Sequence, residues 1–287
     1  MLYFFSVVKY NTTIKHPQGE HERKRITVKK IIAIALLALT ALTCFTACQK
    51  TSADSDLKYI QDKNVLVVGI TDYEPMDYKD ENGEWTGFDA EFARLFAQEL
   101  GVDVEFFVLS DWNQKFYELE TKNIDVIWNG MTITDEVTLN TNCSDAYVVN
   151  AQVVVMKADV VGSYTTTNSL KDLSFCVESG SAGEDALEAL GITDYVAVQD
   201  QTSAVMEVSA GTSDACVIDI TMANSMTGEG TSYADLAAGI SLTSEEYGVG
   251  FRKDSDVTKV FNEFLKKLLE DGTLDALAEK YELTLVK

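Results

Sequence analysis

The chain has 287 residues, 46% hydrophobic and 24% charged, with 46 acidic against 23 basic residues and a net charge of -23. That excess of acid excludes nucleic acid as a partner, because phosphate binding needs a basic footprint. The two histidines, His16 and His21, both precede an apolar run at 31–47. The body of the chain therefore offers no imidazole for a histidine-assisted nucleophile or a histidine-based metal site.

Taken in chain order, residues 1–30 carry Lys9, Lys15, Arg23, Lys24, Arg25, Lys29 and Lys30 against Glu20 and Glu22, and Ile31 to Phe45 is almost wholly apolar. A basic stretch followed by a short apolar one reads as a secretory signal. The run is shorter than the ~20 residues of a stable membrane span. It closes in Phe45-Thr46-Ala47-Cys48. A small residue directly before cysteine resembles the bacterial lipoprotein cleavage box. That likeness implies cleavage after Ala47, a lipid on Cys48, and attachment to the extracellular face of a cell membrane, of Gram-positive type. Removing residues 1–47 leaves 16 basic and 44 acidic residues, a net charge of -28. Residues 48–56 are polar and read as a tether. Cys143, Cys176 and Cys216 contain no CxxC spacing; Cys176 and Cys216 read as small buried residues in strands, and no metal or other cofactor is expected.

The body begins with Val65–Ile70, a short apolar run that reads as a buried strand. Glu81–Glu84 is a turn. Phe88, Phe92, Leu95, Phe96 and Leu100 then fall on one face of a helix that Gly101 stops. Val104–Leu109 is a strand, Asp111–Thr121 a helix and Ile124–Trp128 a third strand. This βαβαβ order predicts a parallel sheet flanked by helices, with ligands beyond the carboxyl ends of the strands. Residues 73–76 and 128–132 follow strands directly and are placed at such a site. The second half has the same alternation, with strands at 174–178, 196–198 and 214–219 and helices at 184–190, 203–210 and from about Thr221. Val257, Val260, Phe261, Phe264, Leu265, Leu268 and Leu269 mark an amphipathic helix, and Asp271-Gly272-Thr273 separates it from a last one at 274–281. Two similar α/β lobes with a cleft between them suit a small ligand.

Gly87-Phe88-Asp89 opening a helix, the run Ile124 to Thr132, and Asp271-Gly272-Thr273 together resemble the extracellular solute-binding proteins of family 3, the polar amino-acid receptors of ABC importers. The likeness covers about residues 57–284. It implies the type II periplasmic-binding-protein fold: each lobe a mainly parallel sheet flanked by helices, the lobes joined by two hinge strands near Asn150–Val155 and Tyr247–Phe251. Lobe 1 is then 57–150 plus 247–287 and lobe 2 is 151–246. It also implies closure of the lobes on the solute, a permease as partner, and a monomer.

An amino acid presents an ammonium, a carboxylate and a side chain. Asp219, at the end of a strand, matches the family's aspartate for the ammonium. Ser181 and Ala182, after Gly180 and before a helix, match the loop that cradles the carboxylate with backbone N–H groups. Thr132 and the backbone at Gly130 match the contacts from lobe 1, and Asn129 beside them is a further candidate contact. Tyr73, Trp112 and Trp128 are candidate aromatic walls. One position departs: the family's carboxylate-clamping arginine, five residues after this threonine, is Val137 here. Losing one partner of a buried ion pair costs roughly 3–5 kcal/mol. Either the ligand lacks a free α-carboxylate at that point, or another group supplies the charge, or the receptor binds weakly; Asp72 and Glu74, beside Tyr73, would suit a positive group. Two other readings compete with a binding protein. One is an enzyme on the same fold, resembling cyclohexadienyl dehydratases, with Glu178 as general acid. The other is a sensory module serving a separate receptor.

Overall fold

The computed structural model describes residues 55–287. The signal, Cys48 and nearly all of the tether expected from the sequence lie outside those residues. Ser55 and Asp56, read as the end of the tether, are already part of the body. Ser55 caps a first helix, α1 (Asp56–Lys63), its hydroxyl accepting the Lys58 N–H at 3.0 Å. Asp56 is buried, with its carboxylate 2.9 Å from Arg252 Nε. This pairing joins residues 196 apart in the chain, which is why no local pattern announces it.

The first half contains β1 (Val65–Ile70), the hairpin β2 (Tyr78–Lys79) and β3 (Trp85–Thr86), α2 (Phe88–Leu100) and β4 (Asp103–Val108). It continues with α3 (Lys115–Glu120), β5 (Val126–Ile127), α4 (Asp135–Asn140) and β6 (Asn142–Cys143). The chain then crosses through β7 (Val148–Asn150) into the second half. There lie β8 (Gln152–Lys157), β9 (Phe175–Glu178), α5 (Ala182–Ala189), β10 (Tyr195–Val198), α6 (Gln201–Ala210), β11 (Ala215–Asp219), α7 (Ile220–Met226) and β12 (Leu236–Ser241). It returns through β13 (Glu245–Tyr247) to β14 (Gly250–Phe251), α8 (Val257–Glu270) and α9 (Thr273–Lys280).

Two five-stranded sheets result, ordered β4-β1-β5-β14-β6 and β10-β9-β11-β8-β12. Each has a parallel trio at its heart, β1 between β4 and β5 in one and β9 between β10 and β11 in the other. Two antiparallel strands extend each trio, so both sheets are mixed. The two crossing strands β7 and β13 pair with one another, antiparallel, as a separate ribbon. The crossings at Val148–Asn150 and Glu245–Tyr247 each meet only the first residue of the hinge stretch expected from sequence, because Gln152–Lys157 and Gly250–Phe251 are strands of the two sheets.

The helical periodicity of α2 has its physical counterpart in an aromatic core. Phe88, Phe92 and Phe96 are fully buried, and Phe92 packs 5.6 Å from Phe261 of α8 between ring centres. Each such ring withdrawn from water contributes about 1.5–3 kcal/mol. Gly101 ends α2 in the left-handed region at φ 72°, its N–H closing on the carbonyls of Ala97 and Gln98. The helix expected at 111–121 is divided: a 3-10 turn at Trp112–Gln114, capped by the Asp111 carboxylate on the Asn113 N–H, precedes α3. That turn moves Trp112 and Lys115 inward, where both are buried.

Candidate functional site

The carboxyl ends of β1, β5, β9 and β11 open into one pocket between the two halves. Tyr73, Trp112, Asn129, Gly130, Thr132, Ser181, Ala182 and Asp219 all line it. Trp128 does not. It is fully buried, edge-on to Phe92 at 4.9 Å and to Phe261 at 5.0 Å. It belongs to the core behind the sheet, and the aromatic-wall reading of Trp128 is corrected.

Asp219 ends β11 and is 3% exposed. Its carboxylate accepts from the side-chain amides of Asn150, Gln152 and Gln201, and its own N–H donates to Gln201 Oε1 at 2.9 Å. Burial pushes the carboxyl up to about 6, against the pull of the Gln201 amide and with a further push from Glu245. Neutral amides orient this carboxylate without cancelling its charge. Glu245 accepts from Thr132, Asn150 and Gln152 at 3.0–3.2 Å, so Thr132 is tied to the crossing strand β13.

Asn129 serves the scaffold of the pocket. Its amide accepts from the Thr71 N–H at 3.0 Å and donates to Asp77 at 2.8 Å. Gly130 is at φ 54°, and a Cβ there would come within 2.6 Å of the Tyr73 ring; only glycine allows this approach. The Gly130 N–H donates to Asp89 at 2.6 Å, and Tyr147 also donates to that carboxylate. The aspartate of the Gly87–Asp89 motif thus holds the pocket loop from behind. Burial raises it to about 7. Tyr73 shares its hydroxyl with Thr221 and Tyr247, which fixes the ring in the pocket wall.

On the opposite side, Ser181 caps α5 by accepting the Glu184 N–H, while the Glu184 carboxylate accepts the Gly180 N–H at 2.7 Å. This reciprocal cap commits Ser181 and Gly180 to the helix. The N–H groups of the first turn, beginning at Ala182, remain directed along the helix axis, where an anion is favoured. Gly180 adopts φ 72°, and a Cβ there would strike Asn113 Oδ1 at 2.1 Å.

Val137 is buried on α4 and lines the same pocket, packed in a cluster with Trp112, Leu109 and Met131. Sequence reasoning missed the one lysine among the described residues that line the pocket. Lys115 is 3% exposed, and its Nζ donates to the Gly180 carbonyl at 3.1 Å. A lysine at the start of a helix reads as a solvated charge; only the inward 3-10 turn before it would have given the signal. Glu178, Gln201, Glu136 and Asp185 also line the pocket. Contacts from one half to the other close it: Asn113 to Ser179 at 2.8 Å, Thr202 to the Asp72 carbonyl at 3.3 Å, Ser225 to Glu74 at 3.1 Å. The cavity they enclose is about 30 Å³, room for a few waters.

Two mixed sheets joined by a two-strand ribbon, with a polar pocket at the carboxyl ends of the strands, define a binding protein of the type II periplasmic architecture. The chain belongs to the bacterial extracellular solute-binding proteins, family 3, whose family model matches residues 66–284. It is 30% identical to the arginine-binding extracellular protein ArtP of Bacillus subtilis over 259 residues, covering 86% of this chain and 96% of that one. It is 27% identical to the L-cystine-binding protein TcyJ of Escherichia coli over 254 residues, 88% of this chain and 92% of TcyJ. Among solved structures, the ancestral amino-acid-binding protein AncCDT-1, a precursor of cyclohexadienyl dehydratase, superposes with a TM-score of 0.72 at 32% identity, over 79% of this chain and 99% of that one.

Proposed function

We propose that this protein is the extracellular amino-acid-binding component of an ABC importer. The observation that carries this reading is Asp219: a buried, amide-oriented carboxylate in a pocket between the two halves, suited to a primary ammonium. Tyr73 and Trp112 supply the walls, and the start of α5 faces the carboxylate. Residues 57–150 with 247–287 form one lobe and 151–246 the other. The pocket's small free volume supports entry of the solute into an open form, with the lobes closing over it. The permease then reads the closed form.

The balance of charge in the pocket points to a cationic amino acid. Among the described residues that line it, Glu136, Glu178, Asp185 and Asp219 face a single lysine. Burial and the neighbouring Asp219 raise the Glu178 carboxyl well above its ordinary range, and a positive ligand side chain would restore its charge. The arginine-binding relative fits the same reading. The anchor is a lipid on Cys48. The direct test is calorimetric titration of the purified chain with free amino acids. Binding of one of them at micromolar or tighter affinity supports the reading, and heat from none of them overturns it. For the anchor, Cys48→Ser should release the protein into the medium; retention on the cell would contradict lipidation there.

A further inference from the structure

The pocket holds a buried ammonium that no carboxylate among the described residues pairs with. Lys115 enters from the start of α3, its ammonium nitrogen 5.0 Å from the ring centre of Trp112 and 4.7 Å from that of Phe116, two cation–π contacts that offset part of its desolvation but supply no counter-ion. None of the ion pairs among the described residues includes it. An ammonium has three donors, and the Gly180 carbonyl takes one of them. Glu136, Glu178, Asp185 and Asp111 favour its charge from beyond contact distance, while burial opposes it. Leaving a charge buried without a counter-ion is costly, and proteins do so where an incoming group supplies the partner.

We propose that Lys115 receives the ligand's carboxylate, replacing from α3 the positive charge that Val137 does not provide from α4. This rests on the amino-acid-receptor reading and identifies its missing anion site. Lys115, Val137, Ala182 and Asp219 share one pocket. The carboxylate is received between the lysine and the first turn of α5, where the backbone N–H groups and helix dipole act in the same sense. Lys115 belongs to the first half and α5 to the second. A carboxylate held by both draws the two together, so the same contact that binds the solute favours closure. The Gly180 carbonyl occupies one donor of the lysine in that gap. The position differs from a clamp on α4, so the ligand lies with its carboxylate toward Trp112 and its ammonium toward Asp219.

The test separates carboxylate from ammonium. The full chain in mild detergent is screened by calorimetry against the twenty common amino acids and L-cystine, each beside its decarboxylated amine, such as L-arginine beside agmatine. The tightest pair is then measured with Lys115→Met, Lys115→Arg, and Lys115→Met combined with Val137→Arg. The expected results are a wild-type preference for the acid of at least a hundredfold and a collapse of that preference in Lys115→Met. The amine's affinity should move less than threefold. The preference should persist in Lys115→Arg and return in part in the double variant. Should Lys115→Met fail to fold, Lys115→Gln carries the same comparison. Equal loss for acid and amine, or no loss for either, overturns the role of Lys115 while leaving the receptor reading intact. Wild-type silence toward every amino acid overturns both.

Discussion

Replacing Asp219 by asparagine removes one charge and almost no volume, and the structure allows its two consequences to be separated. In the folded protein, a carboxyl raised from 3.8 to about 6 is disfavoured as an anion by roughly 3 kcal/mol, at about 1.4 kcal/mol for each tenfold change. Asparagine escapes that cost. It also presents an N–H where Asn150, Gln152 and Gln201 present theirs. A lost bond to a charged group costs about 1.5–3 kcal/mol. The two effects nearly cancel, so Asp219→Asn should melt within about 5 °C of the wild type. Binding has no such cancellation. If Asp219 receives the ligand ammonium as proposed, its loss costs roughly 3–5 kcal/mol, or about a hundredfold to several thousandfold in affinity. Thermal denaturation and calorimetric titration of the same preparation read both quantities. An affinity within fivefold of wild type in a normally folded Asp219→Asn protein would refute the assignment of the ammonium to Asp219.

Three further outcomes follow from other parts of the molecule. Asp89 titrates at about 7 in the folded protein against 3.8 for the ordinary carboxyl, so the folded state holds its proton across that window. Its contribution is full below about pH 4 and is lost as pH rises to about 7; Asp219 adds to the same trend. Melting temperature should fall between about pH 4 and 7 and level off above that, and Asp89→Asn should flatten the slope; an unchanged slope would contradict the assignment. Arg252 joins Asp56 and Asp125 and donates to the Ile124 carbonyl at 2.7 Å. Arg252→Met should therefore cost about 3–5 kcal/mol and lower the melting temperature by roughly 6–20 °C, with ligand affinity unchanged; a loss of affinity at intact stability would place Arg252 in the site. Trp112 lines the pocket and Trp128 does not. Trp112→Phe should abolish a ligand-induced change in tryptophan fluorescence and Trp128→Phe should preserve it, as read by emission scans during titration.

The parts legible in the sequence are those set by local periodicity and by chain direction. The α2 and α8 stripes repeat at helical spacing, Gly101 marks a left-handed stop, and apolar runs mark the strands β1, β9 and β11. Because parallel strands gather their carboxyl ends on one edge, the residues just beyond them are identifiable as pocket candidates from the sequence alone. Trp128 shows the limit of that rule. It also follows a strand directly, but β5 is two residues long, too short for alternation to say which face the next side chain takes. Lys115 is hidden for a different reason: its charge suggests solvent, and only the 3-10 turn that precedes α3 turns it inward. The amides of Gln152 and Gln201 carry no sequence signal at all, since their role is defined by a carboxylate 67 and 18 residues away. Helix α1 escapes a sequence reading because it docks partly through the Asp56–Arg252 pair, which no local pattern shows.

On the proposed function, the pocket binds an amino acid by its ammonium and carboxylate together. The most direct measurement is calorimetric titration of the full chain with each free amino acid and with its decarboxylated amine and its α-carboxylic acid lacking the amine. One amino acid, cationic in its side chain, should bind at micromolar affinity or tighter, and each truncated analogue at least a hundredfold more weakly. Equal binding of the amino acid and either analogue, or binding of none, would contradict that reading.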